Sequence, residues 1–161
     1  MVYEFDISQL HILSILVFDA SIEPDELKIQ PNNGQLNFSI ERRTFEAVKR
    51  SKWLFWNRTK FNGKSSRLQL NGVANCNLLN LEKPISGNDF INNFKYDGTN
   101  NLVELTTALG RVLRINPETS FMAKLEDLTD SDFGKGTSSG KLGFTEHEWL
   151  EYLKKEGINA M

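Results

Sequence analysis

Apolar residues at every second position recur along this chain, and turn-forming residues close each run. Leu36, Phe38 and Ile40 alternate with polar side chains, Leu68 and Leu70 do the same, and the pattern returns in 102–107 and 111–115. A period of two sends successive side chains to opposite faces of a strand, which predicts antiparallel sheet with one face buried and one wet. Pro31-Asn32-Asn33-Gly34 is strong turn chemistry, because Asn and Gly tolerate positive φ. With Leu27 and Ile29 before it, it predicts a β-hairpin over 26–41. Gly110 predicts a second hairpin, joining 102–107 to 111–115. A strand over 66–81, bent near Gly72, is expected after a turn at Asn62-Gly63. Pro84 to Asn101 reads mainly as loop, with 90–96 as a strand inside it, and 121–128 reads as strand or short helix.

Helical signals are confined to the two ends. Asp6 with Gln9 forms a capping box, followed by Ile7, Leu10, Leu13 and Val17 at helical spacing; Pro24 stops the pattern. Thr145 with Glu148 is a second capping box, Phe144 and Trp149 are placed as a hydrophobic staple, and Gly157 fits just past the end. A helix that short is marginal alone and must dock on its own domain or on a partner. Asp130 to Gly143 is rich in Gly, Ser and Thr without periodicity and reads as a flexible linker. The expected organisation is a domain over 1–129, a linker over 130–143 and a helix over 144–161. The fold class is α+β: mostly antiparallel sheet built from hairpins, with an N-terminal and a short C-terminal helix. A pleckstrin-like small barrel with a packing helix is the alternative, since barrels also read as consecutive short strands.

With 161 residues, the chain is long enough for one hydrophobic core without staples. Cys76 is the only cysteine, so neither an internal disulfide nor a cysteine-based zinc site is open to it. That suits a reducing, cytoplasmic location. The apolar run Ile12 to Phe18 follows Glu4 and Asp6 rather than basic residues and is far shorter than a bilayer span of about 20 residues, so neither a signal peptide nor a membrane partner is expected.

Catalytic constellations are scarce. His11 and His147 are the only histidines, and neither has a partner nucleophile in the sequence. Cys76 sits among apolar neighbours in an expected strand, as an inert thiol would. Asp132-Phe133-Gly134 lacks the other kinase elements. Gly134 to Lys141 resembles a phosphate loop only loosely, with Leu142 where Ser or Thr should meet magnesium. No enzymatic activity, cofactor or metal is expected.

The charge distribution is the functional signal. Residues 42–67 hold nine basic residues and one acid, a net of +8, whereas the rest of the chain carries −10. Phe45, Trp53, Phe55, Trp56 and Phe61 are threaded through it. Lysine and arginine neutralise phosphates and aromatics stack on unpaired bases, so the expected function is a non-enzymatic binding module for nucleic acid or another polyanion. The candidate binding residues are Arg42, Arg43, Lys49, Arg50, Lys52, Trp53, Trp56, Arg58 and Lys60. Two alternatives stand beside it. The segment is an interaction surface for an acidic protein, the C-terminal helix being another docking element; or its charge is neutralised internally by residues 1–41, which hold seven acids and one lysine.

Several stretches also carry a resemblance. Asp19-Ala20, Asp25-Glu26-Leu27, Pro31 and Leu36 to Glu46 come first; Arg67 to Leu79 and Val103 to Leu128 follow, with Gly110-Arg111-Val112-Leu113-Arg114, Ala123, Leu125, Asp127 and Leu128. Their order resembles a family of small uncharacterised proteins, mainly alphaproteobacterial, defined by a domain of unknown function, over roughly residues 6–128. The chain departs from it in Trp53 to Trp56, in the linker and in the terminal helix. The resemblance implies no activity and no site residues.

Overall fold

All strand pairings in the computed structural model are antiparallel, and they close on themselves. Described are residues 1–80 and 87–158, without the side chain of Trp53. In chain order the elements are β1 (Val2–Asp6), α1 (Leu10–Val17), β2 (Ser21–Ile22), β3 (Gln35–Arg43), β4 (Lys49–Trp53), β5 (Trp56–Leu79), β6 (Asp89–Asp97), β7 (Leu102–Thr107), β8 (Val112–Ser139) and α2 (Glu146–Lys155). The order β8-β7-β6-β2-β3-β5 returns to β8 through the β5–β8 pairing. β1 joins β8 beyond β7, and β4 pairs only with β5. The result is mostly antiparallel sheet with two short helices, broadly α+β but low in helix. No helix among the described residues is long and apolar enough to cross a membrane.

β5 and β8 run side by side from Leu79↔Val112 to Arg58↔Ser139. Strands this long must bend to serve a ring, and four register shifts interrupt their pairing. Gly72 sits at one of them with φ +70°, where an added Cβ would come within 2.8 Å of the Phe121 backbone. The alternating apolar positions do what their period predicts: Leu36, Phe38 and Ile40 of β3, Leu68 and Leu70 of β5, and Ala123 and Leu125 of β8 are all buried. Leu10, Ile12, Leu13, Leu16 and Val17 of α1 join the same core, with α1 set against β6 and β3.

The capping box of Asp6 and Gln9 is present, but it opens a short 3-10 turn that leads into α1. Residues 26–41 are not a hairpin. Pro24–Lys28 is a 3-10 turn, since Pro24 presets its first φ, and it buries Leu27. Asn33 and Gly34 do take positive φ, but the turn closes a single bridge, Asn32↔Gln35. β3 then pairs with β5 instead, Phe38 opposite Leu68. Asn62-Gly63 is a bulge within β5 rather than a turn. The expected 102–107 and 111–115 hairpin is present, with Gly110 at φ +84°. The strand expected within 90–96 is β6, and 121–128 is strand. Residues 81–86, in and before the expected loop, lie outside the described residues.

The stretch 130–143 is strand as far as Ser139, not flexible linker. β5 runs against it too closely to carry a side chain at one position. At Gly63, where β5 crosses it, an added Cβ would lie 1.7 Å from the Phe133 carbonyl oxygen. α2 docks on its own chain. Trp149 and Leu153 are in the core, the Phe144 ring packs tilted against Trp149 with centroids 5.4 Å apart, and the capping box of Thr145 and Glu148 is formed.

Candidate polyanion interface

The basic stretch divides into an internal half and an exposed half. Arg42 belongs inside. It is fully buried, donates to both carboxylate oxygens of Glu46 at 2.6 and 3.0 Å, and reaches Asp127 at 2.9 to 3.1 Å. The attraction of these two carboxylates outweighs the desolvation of the guanidinium and raises its pKa. Arg42 is therefore no contact for an external anion. Arg43 is half-buried and lies over the Phe61 ring, 4.9 Å from its centroid. Arg50 is half-buried and donates to Glu148 and to the Gly143 carbonyl, fastening β4 to the start of α2. Lys64 and Arg67 pair with Asp130 and Glu126. The internal neutralisation expected from residues 1–41 comes instead from Glu46, β8 and α2.

What remains is a hairpin arm. β4 and β5 meet at the turn Leu54-Phe55, in register Lys49↔Lys60, Arg50↔Thr59, Ser51↔Arg58, Lys52↔Asn57 and Trp53↔Trp56. Directly opposed residues share a face, so Lys49, Lys60, Arg58 and Trp56 stand on one side of the ribbon. β8 extends that side, with Thr137 opposite Lys60 and Ser139 opposite Arg58. The other side is covered near the base: Thr59 is fully buried, donates to the Gly140 carbonyl and accepts from the Leu142 amide. Lys49, Lys52, Arg58 and Lys60 are exposed and enter no ion pair among the described residues. Trp56 is 67% exposed. Trp53 ends β4, and its side chain lies outside the described residues. A groove of about 410 Å³ runs beside Trp56 and Arg58 along residues 137–139. On the Arg58 face it offers one guanidinium and the hydroxyls of Thr137 and Ser139, a donor set suited to phosphate oxygens.

Of the nine expected site residues, the arm unites Lys49, Lys52, Trp56, Arg58 and Lys60, and the fold withdraws Arg42 from solvent. Sequence reasoning missed Thr137 and Ser139, which looked like linker. It also missed that Leu54 and Phe55 form the turn. No Asn-Gly or Asp-Gly marks that hairpin, so its only signal was the apolar run between two basic ones.

A larger cavity of about 630 Å³ opens over the Arg42 cluster, between β1, β5, β8 and α2. Glu46 and Asp127 line it, but Arg42 occupies both carboxylates and Ser66 also donates to Asp127. At its rim Lys64 pairs with Asp130, and Lys135 with Asp132. Burial above all, with the Glu46 charge next, pushes the Tyr3 hydroxyl far above its ordinary pKa, so it stays protonated. The Trp149 indole N–H acts on that hydroxyl, yet neither atom makes a hydrogen bond of normal geometry. No nucleophile–base pair forms there.

The remaining sequence candidates are dispersed. His11 contacts Glu156 at 3.3 Å, and His147 is exposed on α2. Cys76 is half-buried, and desolvation raises its pKa, which leaves it a thiol. Asp132-Phe133-Gly134 and most of the phosphate-loop look-alike are strand. Among the described residues no three metal-ligating side chains cluster. No family model matches this chain, and neither the curated proteins nor the solved structures contain a match to it. Function is therefore argued from the arm itself.

Proposed function

We propose that this protein is a non-enzymatic binding module that docks a polyanion on the outer face of the β4–β5 arm. One observation carries the reading. Lys49 and Lys60 are directly opposed in register, exposed, and without an acidic partner among the described residues. Like charges in that position destabilise a ribbon. Elsewhere the same basic stretch has its cations matched with carboxylates, as at Arg42, Arg50, Lys64 and Arg67. An anionic partner relieves the repulsion that the fold leaves in place. Arg58 and the groove hydroxyls extend the same donor surface, Lys52 adds positive charge from the opposite side of the ribbon, and nucleic acid is one polyanion of the right chemistry. The docked state of α2 removes the support for the C-terminal helix as a free docking element.

The test is binding of a fluorescent single-stranded DNA oligonucleotide and of inorganic polyphosphate at two salt concentrations. Binding that weakens steeply with salt and is lost in Lys49→Glu with Lys60→Glu supports the reading. No binding of any polyanion at low salt by the folded protein refutes it.

A further inference from the structure

The end of the arm is not what nucleic-acid docking alone requires. Its turn residues Leu54 and Phe55 are 67% and 92% exposed, and Trp56 follows them, also exposed. Leucine cannot stack on a base, and no described side chain covers the three. Leu54 is held at φ +53°. Among the described residues the other non-glycine positions with positive φ are Asp19, Asn33, Asn80 and Asn101, the types that tolerate it. A two-residue hairpin turn ordinarily takes Asn or Gly there. A leucine in that conformation is strained, and at 67% exposure it gains little packing in return. Its apolar character at the extreme tip is the feature left to explain.

The cations lie behind that tip in a definite order. Lys52 and Arg58 are two to three residues back, roughly 7–10 Å along the strands, and Lys49 and Lys60 are further. An apolar end followed at that depth by basic residues matches the layering of a bilayer surface. Apolar groups enter about 5–10 Å to the acyl boundary, tryptophan rests at the headgroups, and lysine and arginine meet the phosphates. The groove of Arg58 with Thr137, Ser138 and Ser139 then lies at phosphate level. A short apolar stretch bears on crossing a bilayer, not on resting against one.

We infer that the polyanion docked by the arm is an anionic lipid surface, with Leu54, Phe55 and Trp56 inserted at its interface. This rests on the polyanion reading above and names its partner.

The experiment uses the full chain in flotation and tryptophan-fluorescence titration against three probes. These are vesicles of phosphatidylcholine with 30 mol% phosphatidylserine, vesicles of phosphatidylcholine alone, and the single-stranded oligonucleotide. Expected are at least tenfold tighter binding to the anionic vesicles than to the neutral ones, and a blue shift of emission. Leu54→Asn with Phe55→Ser should lower that binding about tenfold or more. Both positions are exposed, and far-UV circular dichroism checks that the variant folds. Binding to the oligonucleotide without binding to either vesicle overturns the lipid assignment and leaves the polyanion reading standing. Binding to no probe overturns both. Anionic-vesicle binding that is unchanged in the tip variant overturns insertion.

Discussion

Arg42 Nη2 lies 2.9 Å from Asp127 Oδ1, a contact that ties β3 to β8 although these strands do not pair through their backbones. Glu46 closes the cluster from the loop that follows β3. Replacing Arg42 with Met leaves two buried carboxylates without their counter-ion, and the expected cost is about 3–5 kcal/mol. Urea denaturation of Arg42→Met measures it. A loss within that of an ordinary surface substitution would show that the cluster is solvated in solution.

The link between α2 and the arm should respond to acid. The Thr145 backbone N–H, and then Arg50, hold the Glu148 carboxyl below its ordinary value of 4.5. A carboxylate depressed in the folded state contributes stability that is present above its unfolded pKa and lost as pH falls through its folded one. The seating of α2 should therefore be constant above pH ~5 and weaken below about 4.5. Glu148→Gln should flatten that part of the acid limb. Emission of Trp149 across an acid titration, in proteins carrying Trp53→Phe and Trp56→Phe with and without Glu148→Gln, is the measurement.

Trp149 is 3% exposed and belongs to the same core as Leu13 and Phe5. Trp149→Ala should cost about 3–5 kcal/mol, whereas Trp149→Phe should cost much less. Thermal melts of both variants decide whether α2 is part of the folding unit.

Reversing charge on the arm should separate stability from binding. Lys49→Glu replaces an opposed pair of like charges with an ion pair opposite Lys60, worth about 0.2–1 kcal/mol. The variant should be at least as stable as the parent and bind polyanions about tenfold or more weakly. Denaturation and a salt titration on the same preparation check both halves.

Much of this was legible before the fold was seen, wherever one local rule acted alone. The two capping boxes, the Gly110 hairpin and the alternating core positions each follow from a few neighbouring residues. Reading failed where distant chain segments decide. Leu27 and Ile29 alternate well enough for a strand, but β5 claims the edge of β3, and Pro24 commits the preceding residues to a 3-10 turn. Gly and Ser in 130–139 suggested freedom, yet the stretch is strand because β5 pairs with it, passing so close at Gly63 that no side chain fits there. Arg42 could not be told from Lys49 by composition, since the difference is set by Asp127, far away in sequence. The arm itself was visible as charge and aromatics, but its turn was not, because Leu54 breaks the usual turn preference.

The β5–β8 pairing also carries a kinetic consequence. At Leu79↔Val112 the partners are nearest in sequence, and at Arg58↔Ser139 they are furthest apart. Closure entropy grows with the chain enclosed, so assembly favours starting at the near end and zipping outward. The arm grows from the far end, where β4 adds only one more strand. On this ground its docking onto β8 is expected to form late and open early, and its amides should exchange with solvent ahead of those around Leu113 and Ile115. The arm proposed to meet a partner would thus be the part of the sheet that can rearrange without unfolding the rest.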